Sequence, residues 1–279
     1  MKELTYSYTR SSYLISGCIF PRLRKLHLYL EVGYKLHNPP PLVGGCDSAI
    51  LSFLGEHPTI EDLRWYPMLD VTNLPRGLLP SLTRIISSHS FATGLLRDPT
   101  LMRQRAFKFI SQISLGPNTL QLLGMINGSQ LEEIHIWRFD GIDDVKRLAV
   151  LFPNIKALEI PSLGIPSRNN DYTLVGNLVK IYYVTLIKPH QDDCIDCLAS
   201  FPALESVRDC TVWLAIHSRG AMEKSSLTRE LTTKCPKLKR LNHFKTKSTL
   251  EGLDIVFDRQ GGEVAWEEEV VPRDWITYN

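Results

Sequence analysis

The apolar positions of this chain fall into one short recurring pattern: an aliphatic residue, two others, a second aliphatic residue, one other, and a third apolar residue. The alternation at its end is what a strand with one buried face requires, because successive side chains of a strand point to opposite sides. In six places a proline stands two residues before the first aliphatic residue. These are Phe20-Pro21-Arg22-Leu23-Arg24-Lys25-Leu26, His57-Pro58-Thr59-Ile60-Glu61-Asp62-Leu63, Leu79-Pro80-Ser81-Leu82-Thr83-Arg84-Ile85, Phe152-Pro153-Asn154-Ile155-Lys156-Ala157-Leu158, Phe201-Pro202-Ala203-Leu204-Glu205-Ser206-Val207 and Cys235-Pro236-Lys237-Leu238-Lys239-Arg240-Leu241. With 17 prolines, and aliphatic residues at roughly a quarter of positions, about one such match would arise by chance.

Three further segments keep the spacing without the proline: Met1-Lys2-Glu3-Leu4, Leu131-Glu132-Glu133-Ile134-His135-Ile136 and Leu178-Val179-Lys180-Ile181. The first aliphatic residues then stand at positions 1, 23, 60, 82, 131, 155, 178, 204 and 238. A degenerate strand around Ala106 to Ile110 is predicted to divide the long gap between 82 and 131. Periods of 20 to 29 residues on this core belong to leucine-rich repeats. One unit cannot bury its apolar face alone, but stacked neighbours can. The expectation is therefore an α/β solenoid: a curved parallel sheet on the concave side, helices and irregular loops outside, and about ten degenerate repeats.

Helical connectors are predicted over Ala49 to Leu54, Ile142 to Phe152, Ile195 to Phe201 and Leu227 to Leu231. In the second, Ile142, Val145, Leu148, Ala149 and Phe152 form one apolar stripe, and Asp143 and Asp144 favour its first turn. Each connector stops shortly before a repeat proline. Asn38 to Gly45 and Pro161 to Asn170 read as loops. Asp254 to Phe257 and Glu263 to Trp266, around Gly261-Gly262, read as a hairpin that closes the last repeat. The predicted organisation is a single domain over 1–279, with repeats in 1–249 and the terminal hairpin and tail in 250–279. At the other end Met1 to Tyr6 is strand-like with no polar cap ahead of it, which leads us to expect a missing upstream segment.

Composition adds exclusions. With 43% hydrophobic and 22% charged residues the chain reads as soluble and globular, and no apolar stretch approaches the roughly 18 residues of a membrane span. Thirty-two basic and 30 acidic side chains leave a net charge of +2, which gives no reason to expect nucleic acid or a membrane as partner. Six cysteines are too few for a disulfide scaffold, and Met1-Lys2-Glu3 does not open a signal peptide. An intracellular protein with reduced thiols follows, in cytoplasm or nucleus.

The Phe-Pro-x-Leu and Cys-Pro-x-Leu strand starts, the run Phe53-Leu54 to His57-Pro58-Thr59-Ile60-Glu61 with Leu63-Arg64-Trp65, and the closing hairpin with Trp266 resemble the C-terminal leucine-rich-repeat region of F-box proteins from mushroom-forming fungi. The resemblance covers nearly the whole chain. It implies a substrate receptor of a cullin–RING ubiquitin ligase, in which an F-box docks on the ligase adaptor and the repeats hold the target. No F-box is visible in this chain, so the resemblance implies target binding, with adaptor docking only if an F-box lies upstream. A free-standing repeat scaffold unconnected with ubiquitin is the alternative.

Candidate chemistry is sparse. His190, Cys194, Cys197 and Cys210 could supply zinc ligands, but cysteines three apart at the start of a helix also simply share an apolar face. We expect burial rather than a metal or redox centre, no cofactor, and no enzyme activity. Gly44-Gly45 and Gly261-Gly262 lack the lysine of a phosphate loop and read as turns. Glu132-Glu133 fall on a strand, where neighbours face opposite sides.

The surface left for binding is the outer face of the strands. One residue per strand, between the last two apolar positions, makes a row: Thr5, His27, Arg64, Ile86, His135, Glu159, Tyr182, Arg208 and Asn242. Two residues later come Tyr29, Tyr66, Trp137 and Phe244. Tyr, Trp and Arg among mixed charges suit a protein-binding surface. The predicted partner-binding residues are His27, Tyr29, Arg64, Tyr66, His135, Trp137, Glu159, Tyr182, Arg208 and Asn242. Arg64 and Trp137 are expected to be exposed.

Overall fold

A computed structural model describes residues 1–8, 15, 17–30, 45–67, 74–98, 106–126, 130–139, 141–160, 191–208, 221–244, 251–260 and 263–272. The chain divides into two compact units, Met1–Leu131 and Glu132–Asn279.

In the first unit, β1 (Glu3–Tyr8), β2 (Lys25–Leu30), β3 (Asp62–Trp65), β4 (Arg84–Ser87) and β5 (Phe109–Leu115) pair in that order, all parallel. Their register aligns Leu4, Leu26, Leu63, Ile85 and Ile110, the second aliphatic position of each repeat. Three helices lie between strands or after them: α1 (Gly45–Glu56), α2 (His89–Leu96) and α3 (Pro117–Leu123).

In the second unit, β6 (Glu133–Phe139), β7 (Ala157–Glu159), β8 (Ser206–Arg208) and β9 (Arg240–Phe244) are again parallel, aligning Ile134, Leu158, Val207 and Leu241. Then the direction changes. β10 (Glu251–Gln260) runs antiparallel to β9, and β11 (Glu263–Pro272) antiparallel to β10, so the predicted hairpin is present and longer at both ends than expected. The helices are α4 (Ile142–Leu151), α5 (Gln191–Ala199) and α6 (Ala221–Lys234). Each unit is thus an α/β layer with a mostly parallel open sheet.

The proline motif has a definite local geometry. The amide of the first aliphatic residue donates to the carbonyl three residues back: Leu23 to Phe20, Ile60 to His57, Leu82 to Leu79, Ile155 to Phe152, Leu204 to Phe201 and Leu238 to Cys235, at 2.9–3.3 Å. This is a β-turn with proline second, where its fixed φ is already correct. Next comes a ladder. The Lys2 carbonyl accepts from both Arg24 and Lys25, Arg24 from Glu61 and Asp62, Glu61 from Thr83 and Arg84, and Thr83 from Lys108 and Phe109. In the second unit Glu132 accepts from Lys156 and Ala157, Lys156 from Glu205 and Ser206, and Glu205 from Lys239 and Arg240. Each turn therefore hands its strand to the next at the same atom.

The residues that open the repeats, aliphatic except for Phe107, are buried in each unit: Leu23, Ile60, Leu82 and Phe107, then Ile155, Leu204 and Leu238. The residue before the proline is buried or half-buried as well, and at His57 that residue is polar. Its ring stacks on Phe53 at 3.9 Å, Nδ1 lies 2.7 Å from the Phe53 carbonyl, and Nε2 accepts from the Phe20 amide at 2.9 Å. These partners select the Nδ1–H tautomer, so a buried imidazole replaces the usual apolar side chain with both nitrogens satisfied.

Two expectations change. The strand in the long gap is β5, which begins at Phe109 rather than Ala106, with Phe107 as its marker. Gln112, at φ +61, then turns the chain out of ordinary strand geometry just beyond the paired residues Phe109 and Ile110. The strand predicted at Leu178 to Ile181, with Tyr182, and the loop predicted over Pro161 to Asn170 lie outside the described part. Nine strand starts stand among the described residues. Secondly, α2 and α3 were not predicted. In α2 Phe91 to Leu96 are all buried, so no polar face marks its period. Ser88 caps it, accepting from the Phe91 amide.

Candidate interaction surface

The predicted row exists as a register. In the first unit Thr5, His27, Arg64 and Ile86 are paired positions on neighbouring strands. In the second unit His135, Glu159, Arg208 and Asn242 are, with Asp254 facing Asn242 from β10. Tyr29 pairs with Ser7, Tyr66 follows the end of β3, and Trp137 and Phe244 lie two residues beyond His135 and Asn242.

Solvent reaches only part of this row. Thr5 is exposed, and His27, Tyr29, Tyr66 and Arg208 are half-buried. Trp137 is 58% exposed, as expected. Arg64, His135 and Glu159 are not: they are 9%, 3% and 6% exposed, which corrects the expectation of an open charged row. The reason is local. Each of these side chains lies against a partner on the same sheet face, which the sequence pattern of one strand does not reveal.

In the first unit the partners are aromatic rings and one carboxylate. The Arg64 guanidinium lies 4.8 Å from the Tyr29 ring centre and donates to the Tyr29 hydroxyl at 3.2 Å. Arg84 lies 3.9 Å over the Phe109 ring. Asp62 stands between His27 at 3.8 Å and Arg84 at 3.7 Å. At the outer strand Glu3 holds Lys25 at 2.7 Å, and this hydrogen bond pushes the Lys25 ammonium above its ordinary range.

In the second unit the face carries a cluster of polar side chains around a buried imidazole. His135 Nε2 is 2.9 Å from Glu133 Oε1, and His135 Nδ1 is 3.3 Å from Glu159 Oε2. Arg208 Nη1 reaches Glu133 at 3.6 Å. Glu133, His135, Glu159 and Arg208 thus share one patch across three strands. Sequence reasoning named the last three and missed Glu133. Its signal was available: it stands two residues before His135, hence on the same side of the strand. The separation predicted for Glu132 and Glu133 is present, since Glu132 instead pairs with exposed Lys156 at 3.2 Å.

Of the possible zinc ligands, Cys197 is fully buried on α5 and forms no disulfide. His190, Cys210 and the Cys194 side chain lie outside the described part. Among the described residues no group of three or more His, Cys, Asp or Glu side chains is placed to hold a metal ion. No helix among them is long and apolar enough to cross a membrane. No protein-family model matches this chain, and no curated protein was found to be similar to it.

Proposed function

We propose that this chain is a leucine-rich-repeat interaction module that holds a protein target on the outer face of its strands, and that it serves as the target-recognition region of an F-box-type ubiquitin ligase receptor. The observation that carries the module reading is the repeated strand start, in which one carbonyl per turn accepts two amides from the next repeat. That geometry lines up one side chain per strand at about 4.8 Å spacing. Trp137 is the anchor of this surface, because a large exposed aromatic beside a rigid polar patch has the character of an interface hot spot. The ligase assignment is supported by the Phe-Pro-x-Leu and Cys-Pro-x-Leu starts together with the closing hairpin.

The test is to tag the protein at its C-terminus in its own cell, purify it, and identify what accompanies it. Recovery of the cullin–RING adaptor together with a target is the expected result. Recovery of other proteins without the adaptor would replace the ligase reading by a free-standing scaffold. Trp137→Ala should lower target recovery several-fold without loss of fold; unchanged recovery would remove Trp137 from the interface.

A further inference from the structure

The strand-start carbonyl ladder also arranges charge. In the second unit its successive residues are Glu132, Lys156, Glu205 and Lys239, strictly alternating. Lys156 meets Glu132 at 3.2 Å and Lys239 meets Glu205 at 2.6 Å, so this edge neutralises itself. Lys237 adds to the positive field on Glu205. In the first unit the same ladder reads Lys2, Arg24, Glu61, Thr83 and Lys108, and Arg22 stands two residues before Arg24. Glu61 pairs with Arg24 at 2.9 Å. Among the described residues Lys2, Arg22 and Lys108 are exposed and have no carboxylate partner. The other nearby cations, Lys25 and Arg84, belong to the next row of the sheet, where Glu3 and Asp62 pair with them.

We infer that the strand-start edge of the first unit, marked by Lys2, Arg22 and Lys108, docks an acidic segment of a protein partner. This edge is distinct from the sheet face, so the inference goes beyond the function proposed above and stands or falls separately. The hydrogen-bonded ladder from Lys2 to Lys108 makes four steps of about 4.8 Å, about 19 Å in all, a length that about six extended residues span. Three exposed cations without a carboxylate partner among the described residues attract carboxylates through solvent, and such attraction steers association and weakens with salt. A polypeptide fits better than a nucleic acid. No aromatic side chain stands among the ladder residues of this edge to stack a base, and a net charge of +2 provides little sequence-independent attraction to a phosphate backbone.

The test uses the full chain and a short fluorescent poly-glutamate peptide, read by anisotropy at low and at physiological salt. Two variants remove the same charge from different places: Lys2→Gln with Arg22→Gln and Lys108→Gln, and Lys156→Gln with Lys237→Gln and Lys239→Gln. The first should weaken peptide binding by about tenfold at low salt and the second by less than about twofold. Equal losses, or no peptide binding by the unaltered chain, would overturn the inference. Tighter binding of a single-stranded oligonucleotide of equal charge would overturn the choice of a peptide. If the first triple variant fails to fold, Lys108→Gln alone gives the same reading through a smaller loss, and an unchanged affinity there would count against the edge.

Discussion

Buried charge separates the two units more sharply than their strands do. In Glu132–Asn279 an imidazole with almost no exposure lies between two carboxylates, with Arg208 behind one of them. In Met1–Leu131 the equivalent row keeps Arg64 over a tyrosine ring, and the buried imidazole, His57, lies instead in the turn beneath the core. The same strand geometry therefore tolerates polar groups at two depths, provided each finds its partner on a neighbouring repeat. What the comparison teaches is that the repeat dictates where a side chain stands, while the adjacent repeats decide whether it is available to a ligand.

The largest effect is expected from breaking the buried row of second aliphatic residues in the second unit. Leu158→Asp would place an unpaired carboxylate among Ile134, Val207 and neighbouring aliphatics, at a cost above about 4 kcal/mol, and chemical denaturation should find the second unit unfolded. Near-normal stability would contradict the alignment of those strands. His57→Ala should follow, at about 3 kcal/mol, because it removes the acceptor of the Phe20 amide and opens a cavity against Phe53. The matching change in the second unit, His135→Ala, should cost about 2 kcal/mol by leaving Glu133 and Glu159 without the ring between them. A double variant, His135→Leu with Glu159→Leu, should cost less than the sum of its single changes, and strict additivity in a double-mutant cycle would deny the coupling. Arg64→Glu, which the sequence alone would rank as a mild surface change, should now destabilise the first unit by placing a carboxylate against the Tyr29 ring.

Smaller effects come from pH. The Lys234 hydrogen bond holds the Asp196 carboxyl below its usual range, and Lys239 does the same for Glu205, so both contribute stability above the ordinary carboxylate range. That contribution is lost as pH falls through their lowered values. Lys25 and Lys234 are pushed up by Glu3 and by Asp196 with Glu230, so their contribution is present below the ordinary lysine range and fades as pH rises through their raised values. Since both lowered carboxylates belong to Glu132–Asn279, amide exchange between pH 3 and 5 should open that unit first, and salt should shrink the difference. Equal opening of the two units would show these surface pairs to be negligible, as many are. The smallest stability change, within about 0.5 kcal/mol, is expected for Trp137→Ala, whose ring is mostly in water.

Much of the architecture was legible along the chain. The aliphatic positions of six proline motifs are buried columns, the helix stripe of Ile142 to Phe152 faces the core, and the terminal hairpin closes against β9. These signals are readable because burial imposes a period on the sequence, two in a strand and about 3.6 in a helix. The unpredicted α2 lacked that period because it is apolar on nearly all sides, and β5 was legible only as a degenerate strand because Phe107 before it and Phe109 at its start stand in place of aliphatics.

The sequence by itself determined the turn, the strand that follows it, and which side of each strand enters the core, because these depend on proline geometry and on alternation within a few residues. Only the tertiary structure decided which side chains outside the core remain open. His135 meets Glu159, and Arg64 meets Tyr29, across 24 and 35 residues of chain. Such pairs form because parallel register brings strands of separate repeats to about 4.8 Å, so that equivalent or diagonally adjacent side chains meet, a proximity that no local pattern of polar and apolar residues encodes.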